Sequence, residues 1–171
     1  MDRAEFEKLL NAEGSSIYSF CRYLTNDNSI AEDLFQDSML KAYELRDQIS
    51  TNNNPKAYIL GIAVNVYKNR KRKEYKRRQL VPEISYDQDV LDITDTEAQG
   101  DEALLKKEEL ESLGDVLSKL DDKYRLAIIL FYYNQLEIAE ISRILGIPKG
   151  TVKSRLHKGR KLIRQGLLDK A

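Results

Sequence analysis

Among its 171 residues the chain has no tryptophan, one cysteine, one histidine and three prolines. With Cys21 alone, no internal disulfide and no cysteine cluster for zinc can form, and a reducing compartment is expected. With His157 alone, the chain cannot assemble a histidine metal site, and no catalytic or metal cluster is expected around it. There is no Gly-rich phosphate loop and no metal-ligand spacing, so neither a cofactor nor an enzymatic activity is expected. No run of 18 apolar residues exists that would span a membrane. The start, Met1 to Leu10, is charged and amphipathic, unlike a signal peptide. A cytoplasmic location is the expectation. Few prolines and only eight glycines leave long helices unbroken, and no strand alternation is evident, so the predicted fold class is all-α.

The net charge is zero, from 28 basic and 28 acidic residues, but the two signs are segregated. Residues 80–102 carry eight acids, and no Lys or Arg stands between Gln79 and Ala103. This composition, with Pro82 as a helix breaker, predicts a flexible acidic linker between two small helical domains, residues 1–79 and 103–171.

In the first domain, residues 2–25 read as two short helices, and Asn28 or Ser29 as the N-cap of a helix over about 30–46. The inner stripe of that helix is Ala31, Leu34, Phe35, Ser38, Ala42 and Leu45. Gln48 to Asn54 is a loop, and Pro55 opens a helix reaching about Arg78. In that last helix, Ile59, Ile62, Ala63 and Val66 form an apolar stripe. Tyr58, Asn65, Asn69, Arg72 and Lys76 form a second stripe, polar and then basic. In the second domain, helices are predicted over about 103–117, 121–133, 138–145 and 149–168.

The last two helices carry the clearest signal. Ile138, Ile141, Ile144 and Leu145 form one apolar stripe, Gly146 supplies a left-handed stop, and Pro148, Gly150 and Thr151 open the next helix. Two helices about a short Gly-containing turn are a helix-turn-helix. In the second of them Val152, Leu156, Gly159 and Ile163 fall within about 60°. Ser154, His157, Lys158 and Lys161 lie opposite, flanked by Lys153, Arg160 and Arg164 on one side and Arg155 on the other. Lys149 to Arg164 holds seven basic residues and no acid. A solvated surface helix can be basic too. The narrow seam, the Gly turn and the absence of acids together favour double-stranded DNA, read in the major groove.

Two features of the first domain also need explaining. Asp33 and Asp37 lie four apart, a like-charge pair that costs a helix roughly 0.2–0.5 kcal/mol. A basic protein partner accounts for it better than solvent does. Lys68 to Arg78 contains eight basic residues and one acid, more than a helix end needs for its dipole, and suits a DNA surface.

Together, AEDLFQDSMLKAY, YILGIAVNVYKNRKRK and LDDKYRLAIILFYYNQLEIAEISRILGIPKGTVKSRLHKGRKLI, in that order around an acidic tether, resemble a bacterial RNA polymerase sigma factor of the extracytoplasmic-function (ECF) group of the sigma-70 family. The resemblance covers nearly the whole chain. It implies regions 2 and 4 on a linker, with core RNA polymerase and promoter DNA as partners and an anti-sigma factor as a candidate third. It implies that Asp33, Gln36, Asp37 and Leu40 dock on the polymerase. Gln48 to Asn53, Ile49 included, would capture a −10 base, with Asn65, Lys68, Asn69 and Arg72 along the melted strand. Lys153, Ser154, His157 and Lys158 would meet the −35 element, beside Lys149, Thr151 and Lys161. The chain departs from the family pattern with Tyr58 for a frequent Trp, with Gly61 inside a helix, and with no aromatic in the STNNN loop.

An ordinary regulator with a sensory N-terminal domain would share the helix-turn-helix. It should instead show a ligand-sized core in its first half and bind its operator without polymerase.

Overall fold

The computed structural model describes residues 1–80 and 112–170, and no strand occurs among them. The predicted linker, apart from residue 80, and residues 103–111 of the helix predicted over about 103–117 lie outside the described residues.

Helix α1 is Arg3–Thr25. Asp2 and Glu5 close a reciprocal capping box, each side chain accepting from the other's backbone N–H at 2.8 Å. The helix ends at Asn26, whose φ of 52° is left-handed. The sequence predicts two helices here, but one continuous helix forms. Gly14 is buried rather than a break; a Cβ there would stand 3.3 Å from Leu10.

Helix α2, Asn28–Glu44, is capped by Asp27, whose carboxylate accepts from the Ile30 N–H at 2.9 Å. The cap is thus one residue earlier than predicted. Ala31, Leu34, Ser38 and Ala42 are buried as expected, and the Ser38 hydroxyl donates to the Leu34 carbonyl at 2.6 Å. A 3₁₀ turn, Arg46–Gln48, leads into the polar loop.

Helix α3, Pro55–Leu80, begins behind an Asn54 cap, whose side-chain oxygen accepts from the Ala57 N–H at 3.1 Å. Its 26 residues span ~39 Å. Ile59, Ile62 and Ala63 are buried as predicted, but so are Leu60, Val64 and Tyr67 on a second face. The second buried stripe reflects neighbours on two sides. Beyond Arg70 the helix is exposed throughout.

The second half is built around a buried arginine. Residues 112–119 are helical (α4), and α5, Asp122–Ile128, continues as a π-helical turn over Ile129–Tyr133. Arg125 is 7% exposed. One terminal nitrogen donates to the carbonyls of Leu117, Ser118 and Leu120 at 3.4, 3.1 and 3.3 Å. The end of a helix leaves carbonyls such as those of Ser118 and Leu120 without a helical partner, while Leu117 also accepts from the Leu120 N–H, and a cation there also suits the helix dipole. The other terminal nitrogen pairs with Asp122.

Helix α6, Ile138–Leu145, starts with a Glu137–Glu140 capping box and stops at Gly146, φ 65°. Helix α7, Lys149–Lys170, follows at once. Gly159 is where α7 presses closest on α5: a Cβ there would lie 2.8 Å from Ile128 Cγ1.

The two halves do not stand apart. One hydrophobic core runs from Phe6 and Ile17 through Leu60 and Val64 to Leu130, Ile141 and Leu156. α3 packs on α6, and α1 packs on the π turn.

Candidate nucleic-acid interface

The helix-turn-helix presents its faces as the sequence implies. Val152, Leu156 and Gly159 are buried, and Ile163 is half-buried. Lys149, Lys153, Ser154, His157, Lys158 and Lys161 are exposed, and Thr151 is half-buried in the first turn. Arg160 is steadied by donating to the Tyr132 hydroxyl at 3.0 Å, a contact the sequence reading did not anticipate. The result is a rigid helix on a packed seam, with charged and polar tips on one free side.

Along α3, Asn65, Asn69 and Arg72 are exposed on one stripe. Lys68 is half-buried, and its ammonium is held below the usual lysine range, first by burial and then by Arg155 and Arg72 nearby. Arg155 belongs to α7, so a basic side chain of the second half lies near Lys68 of the first.

The loop before α3 borders a cavity of about 680 Å³ lined by Gln48, Ser50, Asn52, Asn53, Tyr58 and Asn65. Its opposite wall is Glu140, Arg143 and Ile144 from α6. Ile49 departs from the sequence expectation. It is 2% exposed and part of the hydrophobic core, so its side chain is removed from the candidate DNA contacts. An apolar residue in a polar loop anchors that loop, and here the Met1 ammonium also donates to the carbonyls of Arg46 and Ile49, at 3.1 and 3.4 Å.

Asp33, Gln36, Asp37 and Leu40 lie together on the outer face of α2, all exposed, Leu40 by 65%. Part of the like-charge cost is met within the chain. Arg70 of α3 pairs with Asp37 and donates to the Asp33 carbonyl at 3.2 Å. The carboxylate pair alone therefore does not require an external basic partner. The combination of acids with a protruding leucine is what an interface uses.

Between the halves, the Tyr67 hydroxyl donates to Asp122 at 2.9 Å and accepts from Arg125 at 3.2 Å. Burial pushes that phenol up to about 12, so it stays a donor. Tyr23 and Tyr133 meet edge to face at 5.1 Å. Asn54 donates to Glu140 at 2.7 Å. Arg125, Tyr67 and Glu140 were not singled out from the sequence. Only the segment LDDKYR, with Arg three residues after Asp, offered a local hint.

Two family models match the chain: Sigma-70 region 2 over residues 9–77, and Sigma-70, region 4 over residues 110–163. The chain is 30% identical over 171 residues to the ECF RNA polymerase sigma factor SigW of Bacillus subtilis, covering 98% of this chain and 91% of that one. It is 29% identical over 168 residues to the RNA polymerase sigma-E factor of Streptomyces coelicolor, covering 96% and 86%. Among solved structures, the sigma factor RpoE in complex with the anti-sigma factor NepR, from Bartonella quintana, matches with a TM-score of 0.80 at 24% identity, covering 95% of this chain and 96% of that one. CnrH in complex with the cytosolic domain of CnrY matches with a TM-score of 0.68 at 18% identity, covering 99% and 90%. At these identities the two structures speak for the fold alone.

Proposed function

Because this chain belongs to the ECF group of the sigma-70 family, whose members direct promoter-specific initiation by RNA polymerase, we propose a division of that task among its parts. Residues 1–79 bind core polymerase and the −10 element, residues 80–102 form the tether, and residues 103–171 read the −35 element. The polymerase performs the chemistry; this chain supplies recognition and strand separation, in the cytoplasm where the polymerase works. Among the described residues no helix is long and apolar enough to cross a membrane.

The observation that carries the reading is the exposed face of α7. Lys153, Ser154, His157 and Lys158 stand free on a helix whose other face is buried. That is the geometry a major-groove reader needs: packed residues fix the helix, and donors reach base edges. Lys149, Thr151 and Lys161 hold flanking phosphates. Asn65, Lys68, Asn69 and Arg72, with the Gln48–Asn53 loop, engage the melted −10 strand. Flipped bases held there offset an unstacking cost of a few kcal/mol. Asp33, Gln36, Asp37 and Leu40 dock on the polymerase. Two of the similar folds are of proteins in complex with the anti-sigma factor NepR and with the cytosolic domain of CnrY; an anti-sigma protein is a proposed partner here too.

The test replaces Lys153 and Lys158 by Ala and measures initiation from promoters substituted one base at a time across the −35 element. A base contact contributes about 1–3 kcal/mol, so sequence dependence at its position should flatten. A uniform loss at every promoter would make these lysines phosphate contacts, and unchanged dependence would contradict the −35 assignment.

A further inference from the structure

We propose that Arg160 and Tyr132 form a phosphate clamp that grips the DNA backbone beside the −35 element. The inference rests on the −35 assignment above, and neither residue is among the contacts assigned there.

The pair joins two elements. Arg160 lies on α7, and Tyr132 on the π-helical turn that ends α5. One terminal nitrogen of Arg160 donates to the Tyr132 hydroxyl at 3.0 Å. A phenol that accepts from a guanidinium still has its own hydrogen to give, and the accepted bond polarises it into a better donor. The second terminal nitrogen of Arg160 is a further donor. The pair thus offers a cationic N–H and an O–H side by side, a match for the two unesterified oxygens of one phosphodiester. Both residues are exposed, Tyr132 by 50%. Arg160 is held by a neutral hydroxyl rather than by a carboxylate, so its charge is not cancelled.

The local fold is what brings Tyr132 there. In an α-helix, Tyr132 and Tyr133 would stand three and four residues beyond Ile129, on the face it buries. Ile129 is 2% exposed. The turn over Ile129–Tyr133 closes instead on the Asn134 N–H, which donates to the Ile129 carbonyl at 3.1 Å. This wider π turn carries Tyr132 off the buried face and out beside α7. Turns of this kind are frequent at functional sites. The ring of Phe131 braces that of Tyr132 edge to face at 4.9 Å.

The position on α7 selects DNA over an acidic protein. Arg160 lies seven residues beyond Lys153, about 20° short of two full turns and ~10 Å along the axis. Lys153, Arg160 and Arg164 therefore form a stripe along one edge of the face that carries Ser154, His157 and Lys158. A major groove is about 12 Å wide and walled by phosphates. A helix whose Lys153 reaches into the groove brings an edge residue two turns on against one wall. Lys149 to Arg164 holds no acid that would repel it.

The test uses holoenzyme made with the full chain, and promoter fragments in which one phosphate at a time beside the −35 element is a neutral methylphosphonate. The wild type should lose binding roughly tenfold or more at one position, the worth of one charge-assisted contact. Arg160→Gln should show that loss on unmodified DNA and no further loss at that position. It should also lower the slope of log affinity against log salt by about one. Arg160→Lys, which keeps the charge, should keep the slope. Tyr132→Phe keeps ring and guanidinium; it should weaken binding roughly threefold and blunt the response to the same methylphosphonate. A phosphate contact carries no base information, so each variant should lose equally on every −35 sequence. Wild type and variants that respond alike to every methylphosphonate would reduce the pair to a staple between the π turn and α7, overturning the clamp alone. Variants that lose core polymerase instead, with an unchanged response to DNA, would overturn it in favour of an acidic protein partner. A wild type indifferent both to every methylphosphonate and to scrambling of the −35 bases would overturn the −35 assignment and the clamp with it.

Discussion

Replacing Asp33 and Asp37 together by Arg should abolish co-purification with core RNA polymerase while leaving the chain folded. The fold should survive because both side chains are exposed and the one ion pair lost, Asp37 with Arg70, is a surface pair. Such pairs contribute about 0–1 kcal/mol. Binding should not survive, because truncating one partner of a buried interfacial charge pair costs about 2–5 kcal/mol, and reversal adds repulsion. Two such positions amount to a loss of at least a thousandfold in affinity, on the order of 4 kcal/mol or more. A thermal melt separates the two effects. Leu40→Asp, which leaves the Arg70 pair intact, should weaken binding in the same assay. Normal co-purification of the double reversal, with an unchanged melt, would remove this face from the polymerase interface.

Arg125→Ala should cost the second half of the chain about 2–4 kcal/mol, at or below the roughly 3–5 kcal/mol for breaking a fully buried ion pair because Asp122 is 44% exposed. The substitution takes this donor from the Ser118 and Leu120 carbonyls and a hydrogen bond from the Tyr67 hydroxyl. Against a total stability of about 5–15 kcal/mol for an ordinary domain, that is a large fraction. Arg125→Lys should recover only part of it, since one ammonium cannot reach α4 carbonyls and Tyr67 from opposite sides as a planar guanidinium does. Urea unfolding checks this. A midpoint within experimental error of the wild type for Arg125→Ala would mean that the α4 end is satisfied without it.

What could be read from the sequence was what repeats along a helix. The α7 seam of Val152, Leu156 and Gly159, the αL stop at Gly146, and the stripe of Ala31, Leu34, Ser38 and Ala42 are periodic or tied to a special backbone conformation, and they stand as expected. What escaped depends on a neighbour distant in sequence. Leu60, Val64 and Tyr67 look like a non-core face until the second half packs near them. Ile49 looks like a loop residue until it is seen to anchor the loop. The single helix over Arg3–Thr25 reads as two in the sequence, because the burial of Gly14 against Leu10 that accommodates it has no sequence signature. Arg70 and Arg125 read as two charges among many, whereas Arg70 is positioned by Asp37 of α2 and Arg125 by the carbonyls at the end of α4 and the Tyr67 hydroxyl. Gly61, read as a mid-helix cost, is where α6 seats Ile144.

The most direct measurement is run-off transcription with purified core polymerase, this chain and a promoter library. Initiation should appear only when the chain is added, only from promoters with a shared pair of elements at −35 and −10, and should be lost when either element is scrambled. Core polymerase that gains no promoter-dependent initiation from the chain, or a chain that binds its DNA element tightly and specifically without polymerase, would contradict the account.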